Sequence, residues 1–318
     1  MHMKHKLFLL YAMLSVVLIT ACEQNKSRKT APAGKIQIVT SLFPIFDFTK
    51  TIVGDKGTVF LLLPPGMEPH GFEPKPEDIV RIYSANMFVF TNRYMEPWAD
   101  RIIGGIDKKK TSVIDAGTGI EYQKIKQHQD ADEHGHSNKT ALDPHIWLDF
   151  SNAAIMVDNI MNGVIAVDPV NADYYRKNAQ AAKERLTDLD KRYSSGLAKC
   201  ATRVMVHGGH YTFGYLAARY NLEYYSLSGI SSESEPSAAR MTSLIKKIKS
   251  SGVSYIFAEE LLSPRLTETL ANEAGVKVLR LNGAHNLSKQ EFERGQTFIG
   301  FMDQNLILLQ QGLACNPK

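Results

Sequence analysis

The sequence predicts an α/β chain built as two (β/α) lobes with parallel sheets, bridged by one long rigid helix. Two observations lead to this fold. Short β-branched or apolar runs alternate with helical patterns from Ile36 to Asp115, and the alternation resumes from Arg203 to Leu281. That order makes parallel sheets covered by helices. Between the two series lies a stretch from Pro169 to about Leu197 that no glycine interrupts before Gly196.

The chain opens with a leader. Lys4 and Lys6 precede the apolar run Leu7–Ile19, which is too short to span a bilayer as a mature helix. Ile19-Thr20-Ala21-Cys22 resembles a bacterial lipobox. Residues 1–21 are therefore expected to be a lipoprotein signal peptide, with Cys22 the lipid-modified N-terminus. Residues 22–34, polar and ending Ala31-Pro32-Ala33-Gly34, form the expected flexible tether. Of 3 cysteines, this leaves Cys200 and Cys315, an even pair in an exported chain and the expected disulfide. The formal charge of +4 falls to +2 when Lys4 and Lys6 leave, which is too balanced for a nucleic-acid footprint.

Residues 35–168 are expected to form the N-terminal lobe. Ile36–Thr40 is a predicted strand, and Pro44–Val53 is a helix stopped by Gly54. Val59–Leu63 is a continuous apolar run, expected to be a strand buried on both faces. Ala85–Phe90 and Thr111–Asp115 complete the strands. Ligands in such sheets bind beyond the carboxyl ends of the strands. The loop Pro64–Asp78 occupies that edge, with five prolines limiting its freedom and His70 at its centre. Next comes a run of three imidazoles and three carboxylates from His128 to His136, including His134, within a loop 128–138 that cannot bury a core. Then follows Leu142-Asp143-Pro144-His145-Ile146-Trp147-Leu148-Asp149, where the proline fixes the backbone beside His145.

Ser151–Ala166 reads as a helix, and residues 169–198 as the linking helix. There Tyr175, Ala179, Ala182, Leu186, Leu189 and Tyr193 recur every three or four residues. About 27 residues make a rod of about 40 Å, long enough to join two lobes stiffly. Residues 199–318 repeat the N-lobe architecture. Predicted strands are Arg203–Val206, Tyr224–Leu227, Val253–Ala258 and Val276–Leu281, with helices at Ser237–Ser250 and Pro264–Ala274. Ser288-Lys289-Gln290-Glu291 is a capping box expected to open the last helix. His210 follows the first strand of this lobe and His285 the last.

Of 10 histidines, two leave with the leader and three sit in the His/acid loop, leaving His70, His145, His207, His210 and His285. His70, His145, His210 and His285 fall at predicted strand ends, two from each lobe. Converging between the lobes they make a nitrogen-rich, near-tetrahedral site that suits Zn²⁺; Mn²⁺ favours more oxygen. Glu68 is a candidate ligand or an acceptor for the His70 ring. Glu259 and Glu260 read as acids that cap nearby backbone.

Pro69-His70-Gly71-Phe72-Glu73-Pro74, Asp143-Pro144-His145-Ile146-Trp147-Leu148-Asp149 and His210-Tyr211-Thr212-Phe213-Gly214-Tyr215-Leu216, in this order, resemble the zinc/manganese solute-binding proteins of metal-uptake ABC transporters. The similarity runs from about Ile36 to the end. It implies two lobes joined by a long helix, metal buried between them, and His70, His145 and His210 as ligands in preference to His207. The fourth position falls to His285, with an acid or water as alternatives. It also implies a lipid-anchored monomer in the cell envelope, periplasmic or on the outer face of the cytoplasmic membrane, serving an integral permease and its ATPase subunit.

This chain carries no Gly-x-x-x-x-Gly-Lys-Ser/Thr and so is not the motor. It also lacks His-Glu-x-x-His, which disfavours a zinc hydrolase, so no enzyme activity is expected. A manganese-binding homologue and a metal-binding adhesin are the other readings. The loop imidazoles His128, His134 and His136 are expected to hold zinc weakly. Because ligand imidazoles must be neutral, capture should weaken in acid, steeply below about pH 6.

Overall fold

The computed structural model describes residues 34–125, 141–230, 236–260 and 264–315. The fold is that of the unit Lys35–Lys318. Its first half is β1 (Ile36–Thr40), α1 (Phe43–Val53), β2 (Gly57–Leu61), α2 (Pro76–Ser84), β3 (Met87–Phe90), α3 (Ala99–Ile103) and β4 (Ser112–Asp115). The four strands form one parallel sheet in the order β2-β1-β3-β4, with Ile38 opposite both Val59 and Met87. Pro44, in the first turn of α1, removes an N–H that has no partner there, and Gly54, at φ +51°, ends the helix.

One strand departs from the expectation. The Val59–Leu63 run is not a strand buried on both faces. β2 starts at Gly57 and lies at the sheet edge, where Phe60 is 36% exposed under the Arg81 guanidinium, 3.8 Å from its ring. Leu62 and Leu63 are buried beyond the strand end, donating to Thr40 O and Ser41 O. Their apolarity serves the core beneath the loop rather than a central strand. The strand buried throughout is β3.

After β4 the chain makes a 3₁₀ turn at Ile146–Leu148 and then α4 (Phe150–Val167), whose first turn is capped by Asp149 accepting from Ser151 N at 2.8 Å. Pro169–Asn171 is a 3₁₀ turn, not yet the long helix, which is α5 (Ala172–Gly196). Its 25 residues span about 38 Å. The buried face is Tyr175, Ala179, Ala182, Leu186, Leu189 and Tyr193, the set the periodicity predicts.

Helix α5 is tied at both ends. Asn178 Nδ2 donates to Ile52 O of α1, and Tyr193 Oη donates to Met302 O at 2.6 Å. Arg192 pairs with Asp303.

The second half contains β5 (Val204–His207), α6 (Gly214–Arg219), β6 (Glu223–Ser226), α7 (Ala238–Ser251), β7 (Tyr255–Ala258), α8 (Arg265–Ala274), β8 (Lys277–Arg280), α9 (Lys289–Glu293) and α10 (Phe298–Gly312). Its sheet is parallel with order β6-β5-β7-β8, the same arrangement as the first. The Ser288–Glu291 capping box opens α9, not the last helix. Gly295, at φ +71°, follows α9, and Thr297 caps α10 by accepting from Gly300 N. A single box could not reveal this break, because Phe292 and Phe298 continue the apolar pattern across it.

One hydrophobic core runs continuously from β1 to Leu313, so the lobes share buried surface. A smaller core around Val206, Leu244 and Leu270 belongs to the second lobe. Cys200 and Cys315 form the expected disulfide. Arg219 of α6 makes a second tie. Its Nε and Nη2 donate to the two oxygens of Asp190 on α5, each at 2.7 Å, and Nη1 reaches Asp149 at 2.9 Å.

Candidate metal centre

Four loops at strand ends bring His70, His145, His210 and His285 together, and each is fixed by its own local chemistry. In the loop after β2, Glu68 accepts the backbone N–H groups of His70 (2.9 Å) and Gly71 (3.3 Å). Past β4, Asp143 Oδ1 accepts both the backbone N–H of His145 (3.0 Å) and its ring Nδ1–H (2.7 Å). Asn92, at the end of β3, donates to Pro144 O at 3.0 Å, and its own N–H is held by the buried Glu96.

After β5, Glu259 Oε2 accepts from His210 N (3.2 Å) and His210 Nδ1 (2.7 Å). Past β8, Glu260 Oε1 accepts Gly283 N at 3.0 Å and lies 3.6 Å from His285 Nδ1. Close packing requires glycine beside these groups. A Cβ on Gly209 would lie 2.3 Å from Glu259 Oε2, and one on Gly283 would lie 2.5 Å from the His285 ring.

These acceptors decide the tautomers. With Nδ1–H given to a carboxylate, the Nε2 of His145 and of His210 is a lone pair. Yet the Nε2 atoms of His70, His145 and His210 converge, at 3.2 Å (His70–His210), 3.4 Å (His70–His145) and 3.3 Å (His145–His210). With two of the three fixed as lone pairs, the His145–His210 contact cannot be a hydrogen bond, and a single hydrogen on His70 can serve only one of the other two. The Thr212 hydroxyl, 2.9 Å from His210 Nε2, is the one donor beside them, and the cluster as a whole suits a cation. Zn–N bonds of about 2.0–2.1 Å set tetrahedral nitrogens about 3.3–3.4 Å apart, so the spacing already fits. His285 supplies the fourth donor, all four lying within 4.8 Å of one another. Its Nε2 has no hydrogen-bond partner among the described residues.

Burial disfavours the protonated form of three of the four donors. Desolvation, then the charges of His210 and His285, lowers His70 to about 2. His145 and His210 are likewise held well below 6.5 by burial and by their neighbours. His285 is raised: burial opposes its charge, but its bond to Glu260 and the charges of Glu260, Glu259 and Glu68 prevail. Asp143 is pushed up to about 8 by burial, against the His145 N–H and the charge of His285. His70 is the only one of the four that is not fully enclosed.

His207 stands apart from this group. It is buried, its Nδ1 donates to His210 O at 3.0 Å, and its ring packs on Phe213 and Tyr224. Glu259 and Glu260 do cap backbone N–H groups, as expected, but they also face imidazoles, which the sequence reading missed. Their position directly after a strand, level with the loops of His210 and His285, was the available signal. Glu68 holds the His70 loop by its backbone. Cys22 and the loop residues His128, His134 and His136 lie outside the described residues.

Residues 38–312 match the model of the family described as zinc-uptake complex component A, periplasmic (ZnuA). The chain is 36% identical to the zinc-binding lipoprotein AdcA of Streptococcus pneumoniae over 98% of its own length, and spans about 63% of that relative. It is also 36% identical to the high-affinity zinc uptake system protein ZnuA of Bacillus subtilis, over 93% of this chain and 94% of that protein. Among solved structures, the Zn(II)-bound ZnuA-like domain of S. pneumoniae AdcA superposes with a TM-score of 0.74 at 35% identity, covering 88% of this chain and 99% of that one. With its paired parallel sheets, linking helix and histidine-lined centre, the chain belongs to the ZnuA family of zinc-uptake components.

Proposed function

We propose that this chain captures Zn²⁺ outside the cytoplasmic membrane and delivers it to an ABC permease and its ATPase subunit, with His70, His145, His210 and His285 as the ligands. The observation that carries the proposal is the convergence of three Nε2 atoms at 3.2–3.4 Å, at least two of them lone pairs fixed by carboxylates. An all-nitrogen shell favours zinc over manganese. Four imidazoles fill a tetrahedron and leave no open position for an activated water, so the reading is transport rather than hydrolysis. Its enclosure beside the other three supports His285, rather than an acid or water, as the fourth ligand.

The wider arrangement belongs to the same proposal. Residues 1–21 are removed, Cys22 carries the lipid, 22–34 is a tether, and 35–168 and 199–318 are lobes about the linking helix 169–198. The loop 128–138 collects zinc through His128, His134 and His136, and the protein works as a monomer. The test is zinc titration against a chelator of known affinity. His70→Ala, His145→Ala, His210→Ala and His285→Ala are each expected to weaken binding at least about a hundredfold, and His207→Ala far less, since loss of residues behind the ligands typically costs 10–100-fold. A His210→Ala protein with unchanged affinity overturns the assignment. In cells, growth under zinc scarcity must depend on the chain and its permease together.

A further inference from the structure

The loop that carries His285 is stitched to the loop that carries His70, and one buried side chain makes most of the stitches. Asn286 is fully enclosed. Its Nδ2 donates to Pro64 O and to Met67 O, each at 2.8 Å. Its Oδ1 accepts the N–H of Leu287 at 2.9 Å. Both donor hydrogens are therefore used across a separation of more than 200 residues in the chain, and one acceptor lone pair is used by the next residue. Backbone bonds flank it: Gly66 N donates to Leu287 O at 2.8 Å, and Phe43 N to His285 O at 3.3 Å.

Pro64 and Met67 stand just ahead of His70, and Asn286 directly follows His285. The side chain thus spans the seam between the lobes at the two proposed ligands whose rings have no short bond to a carboxylate shown among the described residues. Asp143 takes the ring of His145 and Glu259 that of His210, but Glu68 reaches His70 through its backbone, and Glu260 lies 3.6 Å from the His285 ring.

We infer that Asn286 is a positioning residue for zinc capture, setting the distance of His70 from His285 by bridging their loops. The inference rests on the four-histidine reading above. Only a primary amide supplies two hydrogens from one nitrogen together with an adjacent acceptor. Aspartate in its place would set a carboxylate oxygen against two carbonyls, and alanine would leave both carbonyls and the Leu287 N–H without partners.

The test uses the whole lipid-free chain, with Zn²⁺ titrated against a chelator and Co²⁺ as a spectroscopic stand-in. Wild type should show the strong visible absorption of four-coordinate Co²⁺; if it does not, the four-ligand reading fails whatever Asn286 does. Asn286→Asp and Asn286→Ala should bind zinc at least about tenfold more weakly and lose much of that absorption as a ligand gives way to water. In a His70→Ala background the same substitutions should change zinc affinity less than about twofold, because the residue acts through His70. A purely structural residue would weaken binding alike in both backgrounds. If the aspartate and alanine variants fail to fold, Asn286→Gln, which keeps both donors but displaces them by one methylene, carries the test. Unchanged affinity and absorption, or equal losses with and without His70, overturn the inference.

Discussion

Acidification from pH 7.5 to 5.5, with and without Asp143→Asn, reads the proton economy of the centre. Four unperturbed imidazoles near pKa ~6.5 would be about 10% protonated each at pH 7.5 and about 90% at pH 5.5, so zinc would displace about 0.4 and then about 3.6 protons. The structure predicts a flatter course. His70, at about 2, binds no proton at either pH, and His145 and His210, held well below 6.5, bind and release far fewer than free imidazoles. Asp143, at about 8, is protonated in the metal-free protein, to about 0.8 at pH 7.5, and the arriving dication restores its carboxylate. Its unpartnered Oδ2 is free to carry that proton while Oδ1 keeps the His145 ring. His285, raised above 6.5, adds close to one proton at pH 5.5.

Release should therefore rise from about one proton to about two, with Glu259, also raised by burial, adding a fraction at the acid end. The sign follows: groups that must lose protons on binding make affinity increase with pH, through the region of 8 for Asp143 and somewhere above 6.5 for the raised His285. Calorimetry in two buffers of different ionisation enthalpy counts the protons. Asp143→Asn should remove about 0.8 of a proton at pH 7.5. A count climbing from below half a proton to three or more, unaffected by that substitution, refutes the reasoning.

Glu259→Gln should weaken zinc about 10–100-fold in chelator competition, since the amide can present its N–H rather than an acceptor to His210 Nδ1. Gly209→Ala should weaken it similarly with every ligand intact, because the new Cβ would displace Glu259. Arg219→Ala breaks a bidentate, half-buried pair with Asp190 and a third contact with Asp149. It should cost about 2 kcal/mol, lowering Tm by about 3–4 °C in calorimetry. Solution scattering with and without Zn²⁺ should show little compaction, because α5 runs unbroken between partners in both halves.

What the sequence made legible, and what it did not, divides along the range of the interactions. His70, His145, His210 and His285 were found because each follows a strand, and parallel sheets gather their strand ends at one edge. The buried stripe of α5 was legible because helical periodicity is local. The edge position of β2 was not: an apolar run shows that side chains are buried, not which neighbours bury them, and Leu62 and Leu63 are buried past the strand end. The carboxylates facing His210 and His285 were equally hidden. Glu259 meets His210 across 49 residues of chain, and Asn286 meets Pro64 across 222. Glu96, enclosed and raised to about 7 by burial, holds Ser41, Thr91 and Asn92, yet in the sequence it is one acid among many.

The unequal enclosure of the four imidazoles also bears on the order in which an ion changes hands. His145, His210 and His285 are sealed behind the core, Trp147 and the carboxylates, while His70 retains a solvent-facing side. Among the described residues, that side is the one open to an incoming donor such as a chelator. If these four imidazoles hold the ion as proposed, exchange would start at one bond, with His70 leaving as the newcomer enters and the remaining three nitrogens letting go in turn. Such traffic is associative: the rate of loss rises with the concentration and reach of the acceptor. A small chelator strips the ion quickly and a bulky one slowly, even when both bind it equally well.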